Sequence, residues 1–219
     1  MAAQHRAAWL SAILLAVLSL GPVPSQARPV LDAQQTERLS RYEVVLQSEP
    51  LGAGSQHHRA VGIIDFPAES VFRVVTSYDR YSEYMPRVLA SHVVSQSEGH
   101  ALVSMEAMLP WPLANVWVFA RYQTDGFQDD MDRQAYRVRF TMLRGNMLRY
   151  EGLLLLEPYG EGRTMVTYEL LAEPDTRMPK SWVQRAIARG ASNFVHVLRT
   201  RVTQCQRLLR PLPPEACGR

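Results

Sequence analysis

The sequence predicts an α+β domain in which an antiparallel meander is preceded by two short helices and closed by one long helix. Three observations carry this. Six strand-like runs lie between Val88 and Leu171, separated by turn residues. The stretch from Pro67 to Pro86 changes to a helical period. From Pro179 onward apolar residues recur at three- and four-residue steps.

Residues 28–41 form a polar lead-in with a weak helical pattern, so the domain is expected over 42–210, followed by a tail at 211–219. Tyr42 to Gln47 is a strand, Pro50, Gly52 and Gly54 make a loop, and His58 to Phe66 is a second strand. His57 and His58 are expected to be solvated imidazoles in a loop. Pro67 suits a first helical position and Glu69 favours the helix N-terminus. Val71, Val74 and Val75 give that helix one apolar face, with Phe72 beside it. A second helix, about Ser77 to Tyr84, carries Tyr81 and Tyr84 on one side and ends at Pro86. The strand runs are Val88–Gln96, Ala101–Leu109, Val116–Thr124, Ala135–Leu143, Met147–Glu157 and Arg163–Leu171. The last helix, Pro179 to Leu209, is about 45 Å long at its usual rise.

Alternation fixes the faces. Tyr136, Val138, Phe140 and Met142 alternate with Arg137 and Arg139, so the even positions face inward. A three-residue loop, Arg144-Gly145-Asn146, pairs Leu143 with Met147, Phe140 with Tyr150 and Val138 with Gly152. Leu154 opposite Val166 then puts Tyr168 across from Gly152. The shared apolar face comprises Val138, Phe140, Met142, Leu148, Tyr150, Leu154, Val166, Tyr168 and Leu170, with a gap at Gly152 that Gly152→Leu is expected to fill. Val183, Ile187, Gly190, Ala191, Phe194, Leu198 and Val202 form the opposing helix face. The small pair Gly190 and Ala191 fits either close packing or a retained space. On the strand from Val116, either Trp117, Phe119 and Arg121 or Val118, Ala120 and Tyr122 point inward. An inward Arg121 needs a partner and is suited to an acidic ligand group.

The chain has 219 residues, 47% hydrophobic and 21% charged, which excludes disorder. Residues 1–27 read as a secretory signal: Arg6, an apolar run from Trp9 to Leu20, then Gly21, Pro22, Pro24 and the small residues Ser25 and Ala27. The rival reading is an uncleaved anchor, although the run is short of the ~20 residues a span needs. Export, to periplasm or exterior, places Cys205 and Cys217 where they either pair or remain thiols. From Arg177 onward there are nine bases and one acid. This basic helix is either a solvated face or a contact for anionic membrane. Nucleic acid is not an expected partner of an exported chain.

No histidine has a metal-ligand spacing, and no phosphate loop or nucleophile elbow is present. Neither metal nor cofactor is expected. Asp79 and Glu83, four apart, read either as surface charges near Arg80 and Arg87 or, if buried, as a general acid/base pair. Asp129, Asp130 and Asp132 read as an exposed acidic loop. Trp111 and Trp182 are expected near the openings of a groove, as lid or rim residues.

Three stretches carry a resemblance. Gly62 to Val88 runs a strand into a proline-started helix and on to Met85-Pro86. Met108 to Tyr122 places Pro110-x-Pro112 before an aromatic-rich strand. Tyr150 to Leu170 is a glycine-containing strand, a turn and a strand. In this order, and with the final helix, the chain resembles the START-like superfamily, which includes lipid-transfer domains, polyketide cyclases and coenzyme Q-binding proteins. The resemblance covers nearly all of residues 42 to 210. It implies the helix-grip fold, a curved antiparallel sheet wrapped around the long C-terminal helix, and a hydrophobic ligand held between them. Many START domains have Arg-Asp after the proline segment; here Val116-Trp117 stands there. The expected function is non-catalytic binding, and possible transport, of a hydrophobic small molecule or lipid. The wall residues are Phe140, Met142, Tyr150, Gly152, Tyr168, Phe194 and Leu198, with Arg121 as a polar contact. The alternatives are a cyclase or dehydratase using Arg121 or a tyrosine, and an interaction domain with a filled core.

Overall fold

The computed structural model describes residues 30–109, 111 and 114–208. The chain divides into two units, Met1–Val30 and Leu31–Arg219, and the fold below is that of the second. The expected signal at 1–27, the tail at 211–219 and Cys217 lie outside the described residues.

The second unit is α+β, with one eight-stranded antiparallel sheet in the order β1-β2-β8-β7-β6-β5-β4-β3. Its strands are β1 (Val45–Gly52), β2 (Ser55–Ile64), β3 (Val88–Ser97), β4 (His100–Ala107), β5 (Val116–Gln128), β6 (Gln134–Gly145), β7 (Met147–Pro158) and β8 (Thr164–Pro174). The helices are α1 (Ala33–Ser40), α2 (Ala68–Thr76), α3 (Tyr81–Tyr84) and α4 (Lys180–Leu208). A single 3-10 turn, Tyr78–Arg80, links α2 to α3.

The lead-in forms a real helix. Asp32 accepts a hydrogen bond from the Gln35 backbone N–H at 2.7 Å while the Gln35 side chain accepts from the Asp32 N–H, a reciprocal cap. Leu39 of α1 packs with Val45, Val61 and Ile63 in a small separate core. The expected loop at residues 50–54 is instead the end of β1 and a two-residue turn. Ala53 and Gly54 both have positive φ, 50° and 80°, and Gly52 pairs with Ser55. That is the twist a two-residue hairpin needs. Pro50 is tolerated because β1 is an edge strand.

The inward face follows the even positions as expected, but both hairpins are displaced. Val138 faces Leu154 and Phe140 faces Gly152, while Leu154 faces Tyr168 and Leu156 faces Val166. Leu143 and Leu148 are each skipped by the ladder with the outer neighbouring strand, and both are exposed. Those bulges absorb the displacement in the first hairpin and turn Leu148 off the apolar face where alternation had put it. In the second, Tyr159 donates its backbone N–H to the Arg163 carbonyl at 2.8 Å across a loop longer than the expected turn.

After β2 the chain crosses to the far edge through α2, the 3-10 turn and α3. This crossover and α4 cover the concave face. α4 packs tightly on the sheet at Gly62: a Cβ there would meet Val195 Cγ1 at 2.7 Å. Arg199 secures the approach by donating to the Ile63 carbonyl from Nε at 3.0 Å and Nη2 at 2.8 Å. Gly190 takes no part in the packing. It is exposed, with nothing within 4 Å of where its Cβ would lie, while Ala191 is fully buried. Neither expectation for the Gly190-Ala191 pair therefore applies to Gly190, which lies on the outer side of the helix.

Candidate functional site: an aromatic cavity beneath α4

Between the sheet and its helical cover lies a cavity of about 130 Å³. β6, β7 and β8 supply Val138, Phe140, Tyr150, Leu154 and Tyr168. β3, β4 and β5 supply Val88, Met105 and Tyr122. The crossover adds Val75, Tyr81 and Met85, and α4 adds Phe194. Val88, Met105, Tyr150 and Phe194 are the half-buried members of this wall, so they mark its open side. Met108 and Trp111 between β4 and β5, Trp117 at the start of β5 and Trp182 at the start of α4 are exposed.

The wall is built from contacting rings. Tyr78 lies 4.6 Å from Tyr122, Tyr122 lies 5.6 Å from Phe140, Phe140 lies 6.2 Å from Tyr168, and Tyr168 stacks on Phe194 at 4.2 Å. Phe140 also meets Tyr150 at 5.0 Å. Most of these separations fall in the range that aromatic pairs prefer. The ladder connects the crossover to α4 and braces both against the sheet.

The phenols have distinct partners. The Tyr81 hydroxyl donates to the Val75 carbonyl at 2.6 Å. Tyr84 donates to the Val74 carbonyl at 3.2 Å. Tyr122 and Tyr150 lie near enough for Tyr150 to push the Tyr122 pKa up. The Tyr168 hydroxyl has no hydrogen-bond partner among the described residues. Burial raises the pKa of Tyr81, Tyr122, Tyr150 and Tyr168, and neighbouring phenols push Tyr81, Tyr122 and Tyr168 further the same way. All four are O–H groups at neutral pH.

Of the residues singled out in the sequence, Phe140, Tyr150, Tyr168 and Phe194 line this cavity. Leu198 is fully buried in the core further along α4. Met142 is half-buried beside Gly145. Arg121 is exposed, because Val118, Ala120 and Tyr122 are the inward residues of β5. It cannot hold a ligand group inside. Gly152 is no gap: a Cβ there would lie 2.2 Å from the Glu169 carbonyl oxygen and 2.4 Å from Phe140 Cζ. Gly152→Leu would push the sheet apart and cannot serve as a plug.

Tyr122 was one of two open orientations of β5, and Val138 and Leu154 already stood on the predicted face. Nothing in the sequence marks Val75, Tyr81, Met85, Val88 and Met105 as wall residues. Their contribution depends on where the crossover lands on the sheet, which no local pattern encodes.

Charged groups outside the cavity are organised differently from the expectation. His58 is fully buried in β2, with Nδ1 2.8 Å from Ser48 Oγ and Nε2 2.9 Å from Gln184 Oε1. It joins β1, β2 and α4 and is not a solvated loop residue. Asp129 is buried as well: Oδ2 accepts from Arg133 Nε at 3.0 Å and Nη2 at 2.7 Å, and Oδ1 accepts two backbone N–H groups. Arg133 and those N–H groups hold its pKa at about 2. Arg201 bonds Glu83 at 2.7 Å, Arg199 the Ile63 carbonyl and Lys180 the Ala53 carbonyl, so three bases of α4 are engaged within the fold. Cys205 is buried. Among the described residues no group of three potential metal ligands occurs, and no helix is long and apolar enough to cross a membrane.

An antiparallel sheet curved around a long C-terminal helix, with an apolar cavity between them, defines a helix-grip protein. The chain belongs to the family described as polyketide cyclase / dehydrase and lipid transport, which matches residues 64–199. Similar solved structures show the same fold. The STAR-related lipid transfer protein of Xanthomonas axonopodis is 19% identical with a TM-score of 0.62, over 73% of this chain and 92% of that one. Human STARD10 is 13% identical with a TM-score of 0.63, over 86% and 88%. The Zhui aromatase/cyclase of a Streptomyces species is 11% identical with a TM-score of 0.54, over 68% and 93%. No curated protein matches the sequence.

Proposed function

We propose that the chain binds a hydrophobic small molecule beneath α4 and holds it without transforming it, outside the cytoplasm once residues 1–27 are removed. One observation carries the binding reading: the apolar, ring-lined cavity with a half-buried mouth. Removing ligand surface from water there is worth roughly 25 cal/mol per Å², before the costs of association. Absence of chemistry supports the non-catalytic part. Among the described residues lining the cavity there is no carboxylate, imidazole or thiol, and burial keeps the phenols protonated. The exposed Arg185, Arg189 and Arg207 of α4 are the bases left for contact with an anionic membrane.

Volume bounds the guest. At about 130 Å³ the cavity resembles the dry ~150 Å³ kind that accepts a benzene-sized molecule, and falls below the ~300 Å³ at which drug-sized pockets begin. A long acyl chain therefore requires α4 and Phe194 to move outward.

The test is native mass spectrometry of protein purified from an exporting host, with wild type beside Val88→Trp. Val88 is at the half-buried mouth, so the larger ring blocks entry without overfilling the centre. Wild type is expected to carry an extractable hydrophobic molecule and to take up toluene, with uptake lost in the variant at an unchanged melting temperature. Equal uptake by both places binding elsewhere and contradicts the proposal.

A further inference from the structure

The wall of the cavity also specifies the charge of its guest. None of the twelve residues around it is ionised: four are phenols, and the rest are Val, Met, Leu and Phe. A carboxylate or phosphate that entered would lose its hydration and find no cation in return, a loss only a paired charge can offset. Arg121, the base on β5, faces solvent, and Arg199 and Arg201 bond to the Ile63 carbonyl and to Glu83. The cavity is nevertheless not purely oily. Tyr81 is committed to a backbone carbonyl. Tyr150 is half-buried on the open side and brings a hydroxyl to the cavity wall. Tyr168 lines the cavity with a second hydroxyl, near enough to Tyr150 for that phenol to push its pKa up. Phe140 lies between these two rings and Phe194 stacks on Tyr168.

We infer that the cavity selects an uncharged, ring-sized molecule bearing one hydroxyl or carbonyl oxygen, which accepts hydrogen bonds from Tyr150 and Tyr168, and that it rejects carboxylate ligands such as fatty-acid anions. This inference rests on the binding reading above and narrows its ligand class. The flat ring packs against Phe140 and Phe194, and its oxygen meets the two phenol O–H groups. Val138 and Leu154 bound the deep end with methyl groups alone, so a second polar substituent there goes unmatched.

Three methylbenzene probes separate the ideas: toluene, p-cresol and 4-methylbenzoate, titrated calorimetrically at about pH 7.5, where the cresol is neutral and the benzoate is an anion. Wild type is expected to bind p-cresol at least about tenfold more tightly than 4-methylbenzoate. The double variant Tyr150→Phe, Tyr168→Phe is expected to lose about fivefold in p-cresol affinity while its toluene affinity stays the same. Each single variant should lose less, and these remain informative if the double variant melts below the assay temperature. Equal or tighter binding of 4-methylbenzoate, or p-cresol binding indifferent to both phenylalanine changes, overturns the inference. Toluene binding distinguishes the two levels. If it persists while the charge selection fails, only the ligand class is wrong; if none of the three probes binds, the binding reading fails with it.

Discussion

At the scale of residues, two glycines that look alike in sequence have opposite physical meanings. Gly152 is a true steric requirement, since its missing Cβ would collide with the Glu169 carbonyl and the Phe140 ring. Gly152→Ala is expected to destabilise by about 2–3 kcal/mol, the usual cost of overpacking where backbone must yield. Gly190 is exposed in mid-helix with open space around it. Gly190→Ala should stabilise by up to about 1 kcal/mol through helix propensity alone. Urea midpoints at constant slope measure both, and two changes of the same sign would contradict the assignment. Both glycines stood out in the sequence as small residues at the centre of an apolar surface. The alternation could not say that one lay under a ring and the other in water, because that depends on the rotation of α4 about its axis.

At the scale of elements, β1, β2 and α4 are joined by a buried histidine. His58 has a pKa below its ordinary value of 6.5, chiefly because burial disfavours the imidazolium; the Gln184 hydrogen bond opposes the shift and His57 adds to it. The unfolded chain therefore takes up a proton that the folded chain does not. Its contribution to stability is full above 6.5 and is lost as pH falls through the lowered folded value. Thermal melts from about pH 7 down to about pH 5 should show a steeper loss for wild type than for His58→Asn, with the lowered His196 common to both. Parallel curves would show that His58 is not desolvated as described. His57-His58 reads as loop in sequence because Pro50, Gly52 and Gly54 precede it. β1 and β2 instead continue to the two-residue turn at Ala53-Gly54, which draws the pair into the ladder.

At the scale of the whole domain, the fold was largely legible and the cavity only partly so. Side-chain alternation has a period of two, so hairpins displaced by two residues still send Phe140, Tyr150 and Tyr168 inward. Even a mistaken turn thus left the apolar face nearly intact, apart from Leu148 at its bulge. The long α4 announced itself by length and period. What local pattern could not supply was the landing of the crossover, which brings Val75, Tyr81 and Met85 over β3 to β8 and closes one side of the space. The same uncertainty hid the placement of Arg121, whose strand alternated without indicating a side. Family membership fixes the architecture, and the proposed neutral guest rests on the uncharged wall.

The most direct measurement of that central claim is diffraction from a crystal pressurised with xenon, which enters dry cavities of this size. The account predicts a xenon peak enclosed by Phe140, Tyr150, Tyr168 and Phe194. Continuous side-chain density through that volume, with xenon absent from it, would contradict the account.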